Sequence, residues 1–437
     1  MRPQFPKERI DRIVTPFDKF IHTEAAGGSV ILLAALAALL IANSRFGPAF
    51  ESLWMTPVGL RVGDVVWEHS LRHWINDGLV TLFFFVVGLE IKREVVAGEL
   101  SKKGAVALPV AAAAGGMLVP ALIYLAIAPE HPSGWGVVMA TDIAFVVGCM
   151  ALLGKRIPDS LRVFLLALAI IDDIGAILVI GVGYSDGFHL IPFLLAVTGF
   201  CLTALMQWLG VRPVTAYWAA GFLVWAALHE SGIHPTIAGV ALGLLTPVKP
   251  WIDETRFDNF LTWAREARGA AQGDQDPSSE SLRRAVARAA RESISPQRRL
   301  ENSVHPWSAF VVLPLFAFAN AGVAITAVDL FHPITLGVMA GLAVGKPVGI
   351  FVFAWVAIWL GIARKPREIA WRHIFGAGML AGIGFTMALF IANLAFAGAA
   401  LESAKLGILL ASLIAGLAGM VMLFAGSAGR SREANAN

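Results

Sequence analysis

Residues 161–182 read LRVFLLALAIIDDIGAILVIGV. The run is long enough to cross a bilayer as a helix, which takes about 20 apolar residues. Yet two adjacent aspartates, Asp172 and Asp173, stand in its middle. The composition of the whole chain supports a lipid setting for this run. Of 437 residues, 57% are hydrophobic and 15% charged, and the mean hydropathy is +0.70. A soluble domain carries about 25% charged residues. Glycine (43 residues) and alanine-dense runs suit helices packed closely in lipid. A soluble multidomain chain, a disordered or fibrous chain and a disulfide scaffold are thereby excluded. The two cysteines, Cys149 and Cys201, lie in apolar runs.

Outward from this run the chain offers twelve candidate spans: 26–42, 76–91, 105–128, 135–153, 161–182, 189–209, 214–228, 233–247, 307–328, 334–362, 374–397 and 404–425. They are apolar on every face, without the period-2 alternation of a transmembrane barrel strand. An all-α integral membrane protein is expected. With the N-terminus inside, 29 Lys and Arg residues fall on the inner side and 4 on the outer. The positive-inside rule then puts both termini in the cytoplasm. Residues 1–24 are polar and charged, so the first span is read as an uncleaved anchor. The chain divides into a cytoplasmic N-terminal segment (1–25), one transmembrane domain (26–250 and 301–425), a cytoplasmic loop (251–300) and a cytoplasmic tail (426–437). In the outer loop 44–73, Val62-Gly63-Asp64 between alternating stretches suggests a hairpin turn, with an irregular loop as the alternative. In the inner loop, a Gly/Gln/Asp/Ser stretch (271–281) precedes a basic run, Arg283 to Arg291. That run reads either as an amphipathic helix on anionic lipid or as a solvated linker.

Four charges fall inside apolar spans: Asp142, Asp172, Asp173 and Lys346. Each opposes insertion by about 2.5–3.5 kcal/mol at a helix centre, so they face a cavity or one another. One ion pair that only fixes packing would leave two carboxylates uncompensated, and those two need protons or a cation. Adjacent residues on a helix point about 100° apart. Of Asp172 and Asp173, one therefore serves Lys346 and the other a cation. Thr141, next to Asp142, offers a hard hydroxyl oxygen for a small cation; bonding to a backbone carbonyl is the alternative. The supporting helices look breakable. Gly337, Gly341, Gly345 and Gly349 form a bare stripe, and Pro347 disfavours helix at Lys346. Gly376, Gly378, Gly382 and Gly384 interrupt one span; Gly134, Gly136 and Gly148 interrupt another. Paired interrupted helices point to a transporter's midplane site.

Six stretches resemble the NhaA family of bacterial sodium/proton antiporters. They are Ala140-Thr141-Asp142-Ile143-Ala144-Phe145, the segment Ala169 to Ile177, Gly345-Lys346-Pro347-Val348-Gly349-Ile350, Trp74-Ile75-Asn76-Asp77 with Val87-Gly88-Leu89-Glu90, Leu313 to Gly322, and Gly382-Ile383-Gly384-Phe385-Thr386-Met387. Their order along the chain makes the likeness specific, and it fails only at the termini and around 251–295. The resemblance implies twelve helices with inverted-topology repeats and two interrupted, crossing helices, spans 135–153 and 374–397. It implies that Asp142 and Asp173 bind Na⁺ or Li⁺, with Thr141 beside them, and that Asp172 partners Lys346. Asp77 would be an acid near the outer face. Glu90, Glu94 and Glu301, with His305 in the same stretch, would form a cytoplasmic pH-responsive cluster. His234 matches a histidine implicated in pH response, a capping role at a helix start being the alternative. Asn302 stands where some members carry histidine. The 44–73 segment resembles a dimer-forming hairpin, so a homodimer in the bacterial inner membrane is implied.

The expected activity is electrogenic, pH-regulated Na⁺ (or Li⁺)/H⁺ exchange by alternating access, with cation and protons competing for the buried aspartates. Burial raises a carboxylate's affinity for a proton and an adjacent cation lowers it. The alternative weighed is a sodium-coupled symporter of a small organic anion. A channel would pass current without proton coupling. An intramembrane aspartyl protease would need Gly-x-Gly-Asp, which no span aspartate has. No nucleotide loop, redox motif or metal-ligand cluster stands out. Neither an enzyme, a cofactor nor a nucleic-acid partner is expected; the partners are the lipid bilayer and the transported Na⁺ and H⁺.

Overall fold

The computed structural model describes residues 24–62, 65–101, 106–185, 187–211, 213–270, 277–324 and 330–434. Most of residues 1–25, expected in the cytoplasm, lie outside them. The chain is helical almost throughout. The first half comprises α1 (Glu24–Ala42), α2 (Gly47–Met55), β1 (Pro57–Val62), β2 (Val65–Ser70), α3 (Leu71–His73), α4 (Val80–Ala97), α5 (Ala107–Ile127), α6 (Ile143–Leu153), α7 (Asp159–Gly183), α8 (Leu190–Trp208), α9 (Val214–Glu230) and α10 (Thr236–Leu245). The second half comprises α11 (Glu254–Ala270), α12 (Pro277–Glu292), α13 (Pro296–Trp307), α14 (Leu313–Asn320), α15 (Pro333–Ala340), α16 (Lys346–Trp359), α17 (Trp371–Ala381), α18 (Phe385–Ala395) and α19 (Gly398–Ala434).

Among the described residues, 7 helices are long and apolar enough to cross a membrane, or up to 9 if each bent pair is one span. Three of the twelve sequence spans fall short. Span 76–91 lies in α4, which carries Glu90, Lys92, Arg93 and Glu94; α9 has 17 residues and α10 only 10. The 116° bend between α1 and α2 turns the chain out of its span into the 44–73 segment. There β1 and β2 pair antiparallel, Pro57 opposite Ser70 and Val62 opposite Val65. The Gly63-Asp64 turn lies outside the described residues. Arg72 grips Glu51 with both guanidinium nitrogens at 2.8 and 2.7 Å, which holds that carboxyl below its ordinary value. The 251–300 loop is not a bare linker: it contains α11 and α12, with 271–276 outside the described residues. At the other end, α19 continues to Ala434 and absorbs most of the expected tail.

The glycine stripe does what its spacing suggests. A Cβ on Gly341 would lie 2.7 Å from Val138 Cγ1, and one on Gly345 would lie 2.8 Å from the Pro120 Cα of α5. At Gly349 it would run into the Gly115 carbonyl of α5. Only a bare backbone allows α16 and α5 so close. Pro347, by contrast, does not break its helix. One wide turn, Gly341–Gly345, joins α15 to α16, and the Lys346 N–H reaches back to the Gly341 carbonyl. That i→i+5 bonding makes room for the proline ring and its missing donor.

Overpacking in a close-packed interior costs about 1–3 kcal/mol. Gly349→Ala is therefore expected to lower the thermal midpoint of the detergent-solubilised protein by several degrees. Gly27→Ala, whose Cβ would meet Ala309 Cβ at an ordinary 3.6 Å, is expected to leave it within a degree or two.

Candidate functional site

Two helix interruptions meet in the interior. In the first, the tight turns of Pro132–Met139 give way to an extended stretch ending at Asp142, which caps α6 with its Oδ1 against the Phe145 N–H at 3.3 Å. In the second, Gly382–Gly384 separates α17 from α18, with a 48° bend. A Cβ on Gly384 would lie 3.2 Å from the Ala140 carbonyl, so glycine permits the two breaks to touch. Helix ends leave backbone donors and acceptors without partners, and here each break satisfies the other. The Asp142 N–H donates to the Ile383 carbonyl at 2.7 Å.

The side chains repeat that logic. Asp142 Oδ2 accepts from the Thr386 N–H at 2.9 Å and the Thr386 hydroxyl at 2.5 Å. The carboxylate thus rests against the N-terminal turns of both α6 and α18, where helix dipoles favour negative charge. Lys346 Nζ lies 3.1 Å from Asp172 Oδ2 and also donates to the Met139 carbonyl, an acceptor that the first break leaves over. Thr141 does not stand with Asp142. In the extended stretch, successive side chains point to opposite sides. Its hydroxyl accordingly sits 2.7 Å from Asp172 Oδ2 and 3.1 Å from the Ala381 carbonyl.

Asp173 is different. It is 5% exposed, against 2% for Asp142, 1% for Asp172 and 0% for Lys346. Asp172 Oδ1 and Asp173 Oδ2 are both buried without a hydrogen-bond partner among the described residues, but the other oxygen of Asp172 meets Lys346 and Thr141, whereas the Asp173 carboxylate has neither an ion pair nor a hydrogen bond there. It lies within electrostatic reach of Glu90, Asp172, Asp142 and Lys346.

The remaining candidates separate into two groups at opposite ends of α4. Asp77, in the wide turn Trp74–Leu79 before α4, has Oδ1 3.8 Å from His234 Nε2 and Oδ2 3.4 Å from His73 Nδ1. His234 does stand at a helix start, with Nδ1 2.7 Å from the Thr236 hydroxyl of α10. It is placed with Asp77, not with the glutamates. About 25 Å away along the helix, Arg93 gathers Glu90 (3.5 Å), Glu94 (3.3 Å) and Glu301. Gln297 donates to Glu301 Oε2 at 2.6 Å. His305, one turn beyond Glu301, is exposed.

Sequence reasoning passed over several groups. Thr386 was visible only as part of a motif, Arg93 only as one loop charge, and the Asn76–Asn320 bond (2.8 Å) joins two motifs quoted separately. Nor did any metal-ligand cluster stand out, yet His69, His73 and His229 place one ring nitrogen each within 4.8 Å of one another. More than 150 residues separate His73 from His229, so no local spacing reveals them.

A family model described as Na⁺/H⁺ antiporter 1 matches residues 18–423. A protein of Acidiphilium cryptum named Na(+)/H(+) antiporter NhaA 2 is 48% identical over 427 residues, covering 97% of this chain and 94% of that one. The Na(+)/H(+) antiporter NhaA 2 of Sorangium cellulosum is 51% identical over 430 residues, covering 95% and 91%. Among solved structures, the sodium proton antiporter MjNhaP1 of Methanocaldococcus jannaschii, at pH 8, aligns with a TM-score of 0.44 and 12% identity over 92% of this chain and 97% of that one. A family model spanning nearly all of the sequence, and relatives about half identical over its length, make this chain a member of the Na⁺/H⁺ antiporter 1 family, to which the NhaA proteins belong.

Proposed function

We propose that the chain exchanges Na⁺ for H⁺ across a membrane, as the names of its relatives state for them. It is a transporter, not an enzyme. One observation carries the reading: three buried carboxylates share one buried ammonium at the meeting point of two helix breaks. Asp172 is answered by Lys346, and Asp142 by two helix N-termini. Asp173 alone of the three has neither an ion pair nor a side-chain hydrogen bond among the described residues, and its Oδ2 is buried. A carboxylate left so in low dielectric gains from a proton or from a small hard cation, and the two exclude each other. Asp142 and Asp173 form the exchanging pair. Backbone carbonyls at the breaks supply further hard oxygens, and Lys346 with Asp172 holds the breaks together.

Movement of the bundle around the crossing exposes this pair alternately to either side. Two protons per Na⁺ would move one net charge, on which the membrane potential acts with about 2.3 kcal/mol per 100 mV. Glu90 lies within reach of both Asp173 and Arg93, which supports a role for the Arg93 cluster in setting the pH response. The excess of basic residues on one side supports an inner-membrane protein with both termini cytoplasmic and an even number of crossings; twelve with inverted repeats remains our reading. Exposed apolar side chains such as Leu40, Val182, Ile191 and Val421 suit contact with lipid. The paired strands of the 44–73 segment offer a surface for a homodimer. An organic-anion symporter would need a free buried cation. Lys346 is engaged by Asp172 and the Met139 carbonyl, and the other buried lysine, Lys405, by Glu402 at 2.8 Å.

In everted vesicles, Asp173→Asn and Asp142→Asn are each expected to abolish Na⁺-dependent dissipation of a pH gradient. Retained exchange in either would overturn the assignment. Thr386→Val removes a charge-assisted donor, worth about 1.5 kcal/mol, and is expected to shift the apparent KM for Na⁺ about tenfold, whereas Thr141→Val shifts it far less and lowers thermal stability instead. Removing one partner of a buried ion pair costs about 3–5 kcal/mol. Lys346→Met should therefore destabilise strongly, and Lys346→Met with Asp172→Leu should recover much of the loss in thermal unfolding. An additive double variant would show that the two residues do not interact.

A further inference from the structure

His69 lies next to last in β2, His73 ends α3 and His229 lies in the last turn of α9. The 44–73 segment folds back so that the three imidazoles converge. Ring centroids are 4.3 Å apart for His69 and His73, 5.2 Å for His69 and His229, and 5.1 Å for His73 and His229. Each ring offers a nitrogen within 4.8 Å of the other two. Three imidazoles on one tetrahedral Zn²⁺, at about 2.0–2.1 Å each, have nitrogens about 3.4 Å apart. Small side-chain rotations close that difference.

Two further features separate this cluster from stacked histidines that merely fill space. Asp77 Oδ2 lies 3.4 Å from His73 Nδ1, and His73 Nε2 is buried with no hydrogen-bond partner among the described residues. A carboxylate on one ring nitrogen directs the lone pair of the other outward, the arrangement that supports histidine ligands in metal sites. Aromatic walls orient the rings: Trp225 stacks on His229 at 5.8 Å with planes 9° apart, and Trp67 and Trp74 meet His69 edge-on at 6.2 and 6.1 Å. All three histidines are partly exposed, so an ion can enter.

From these contacts we infer that His69, His73 and His229 form a site for a borderline divalent transition metal, with Zn²⁺ as its reference ion, on the outer side of the protein. Neutral imidazoles select such ions over Na⁺, Mg²⁺ and Ca²⁺, which prefer oxygen. The ion would place two positive charges beside Asp77, whose other oxygen faces His234. Outer Zn²⁺ therefore restrains exchange. That consequence rests on the exchange reading; the binding does not.

Full-length protein carrying a histidine-free affinity tag, purified in detergent, is titrated with Zn²⁺ against a chromophoric chelator. One ion per chain at micromolar or tighter Kd is expected. His229→Gln and His69→Gln should each weaken binding at least tenfold, and His131→Gln, at the separate His131–His332 pair, should leave it unchanged. Zn²⁺ should also raise the thermal midpoint of the wild type but not of His229→Gln, which also checks that the variant is folded. Equal affinity in wild type and variants, or no stoichiometric binding, overturns the site. In proteoliposomes, external Zn²⁺ should slow Na⁺-driven proton flux at least twofold in wild type and leave His229→Gln unaffected. Stoichiometric binding with Zn²⁺-insensitive flux overturns the link through Asp77 alone. Binding in a protein with no Na⁺-driven flux at all overturns the exchange reading and leaves the metal site standing.

Discussion

A helix interrupted inside a bilayer strands backbone donors and acceptors where no water can satisfy them, each costing several kcal/mol. This protein interrupts two and lets each answer the other. The N–H of Asp142 donates to the Ile383 carbonyl, its carboxylate accepts from the Thr386 donors, and the Met139 carbonyl accepts a hydrogen bond from Lys346. Asp142 and Lys346, two of the four buried charges, are thus also groups that hold the crossing together. The buried charges and the integrity of the crossing cannot be separated into a scaffold and a site laid on it.

The same constraint explains the division of labour among the charges. Were all three carboxylates matched, the interior would be stable and inert. Lys346 matches only Asp172, because adjacent Asp173 leaves the helix about 100° away. Helix dipoles, not a side-chain cation, hold Asp142. Asp173 is left with Glu90, Asp172 and Asp142 as its acidic neighbours and only the engaged Lys346 as a positive one. A deficit of one to two positive charges is what a transported ion can fill and then vacate.

Much of this was legible in the chain itself. Charges within apolar runs, glycines flanking Asp142 and preceding Thr386, and the stripe from Gly337 to Gly349 all belong to local patterns whose physical cost is visible residue by residue. Alternation around Gly63-Asp64 suggested a hairpin or an irregular loop, and two paired strands are what flank it. What escaped depends on direction and on distant partners. Thr141 sits beside Asp142 in the chain, yet an extended backbone turns it toward Asp172, and the hydroxyl that Asp142 receives comes from Thr386, 244 residues away. Pro347 signalled a break that one wide turn made unnecessary. The spans now carried by α4, α9 and α10 are shorter or more charged than the rest; a run of apolar residues does not disclose where a helix starts or how many charges its last turns contain.

The position of α4 connects these observations. Its start adjoins Asp77 and the histidines, its last turns carry Glu90, Arg93 and Glu94, and Gly88 packs so closely on α10 that a Cβ there would lie 2.5 Å from the Val240 carbonyl. From the other side, a Cβ on Gly243 of α10 would lie 2.6 Å from the Phe85 carbonyl. Two helices so closely set leave no room for a side chain between their backbones. The pair spans the distance between Glu90, within reach of Asp173, and Asp77 with His234, which leads directly into α10. The glutamates around Arg93 and the histidines around Asp77 thus stand at opposite ends of one closely packed pair. One end of that pair, through Glu90, lies within electrostatic reach of Asp173, the carboxylate that the crossing leaves without an ion pair.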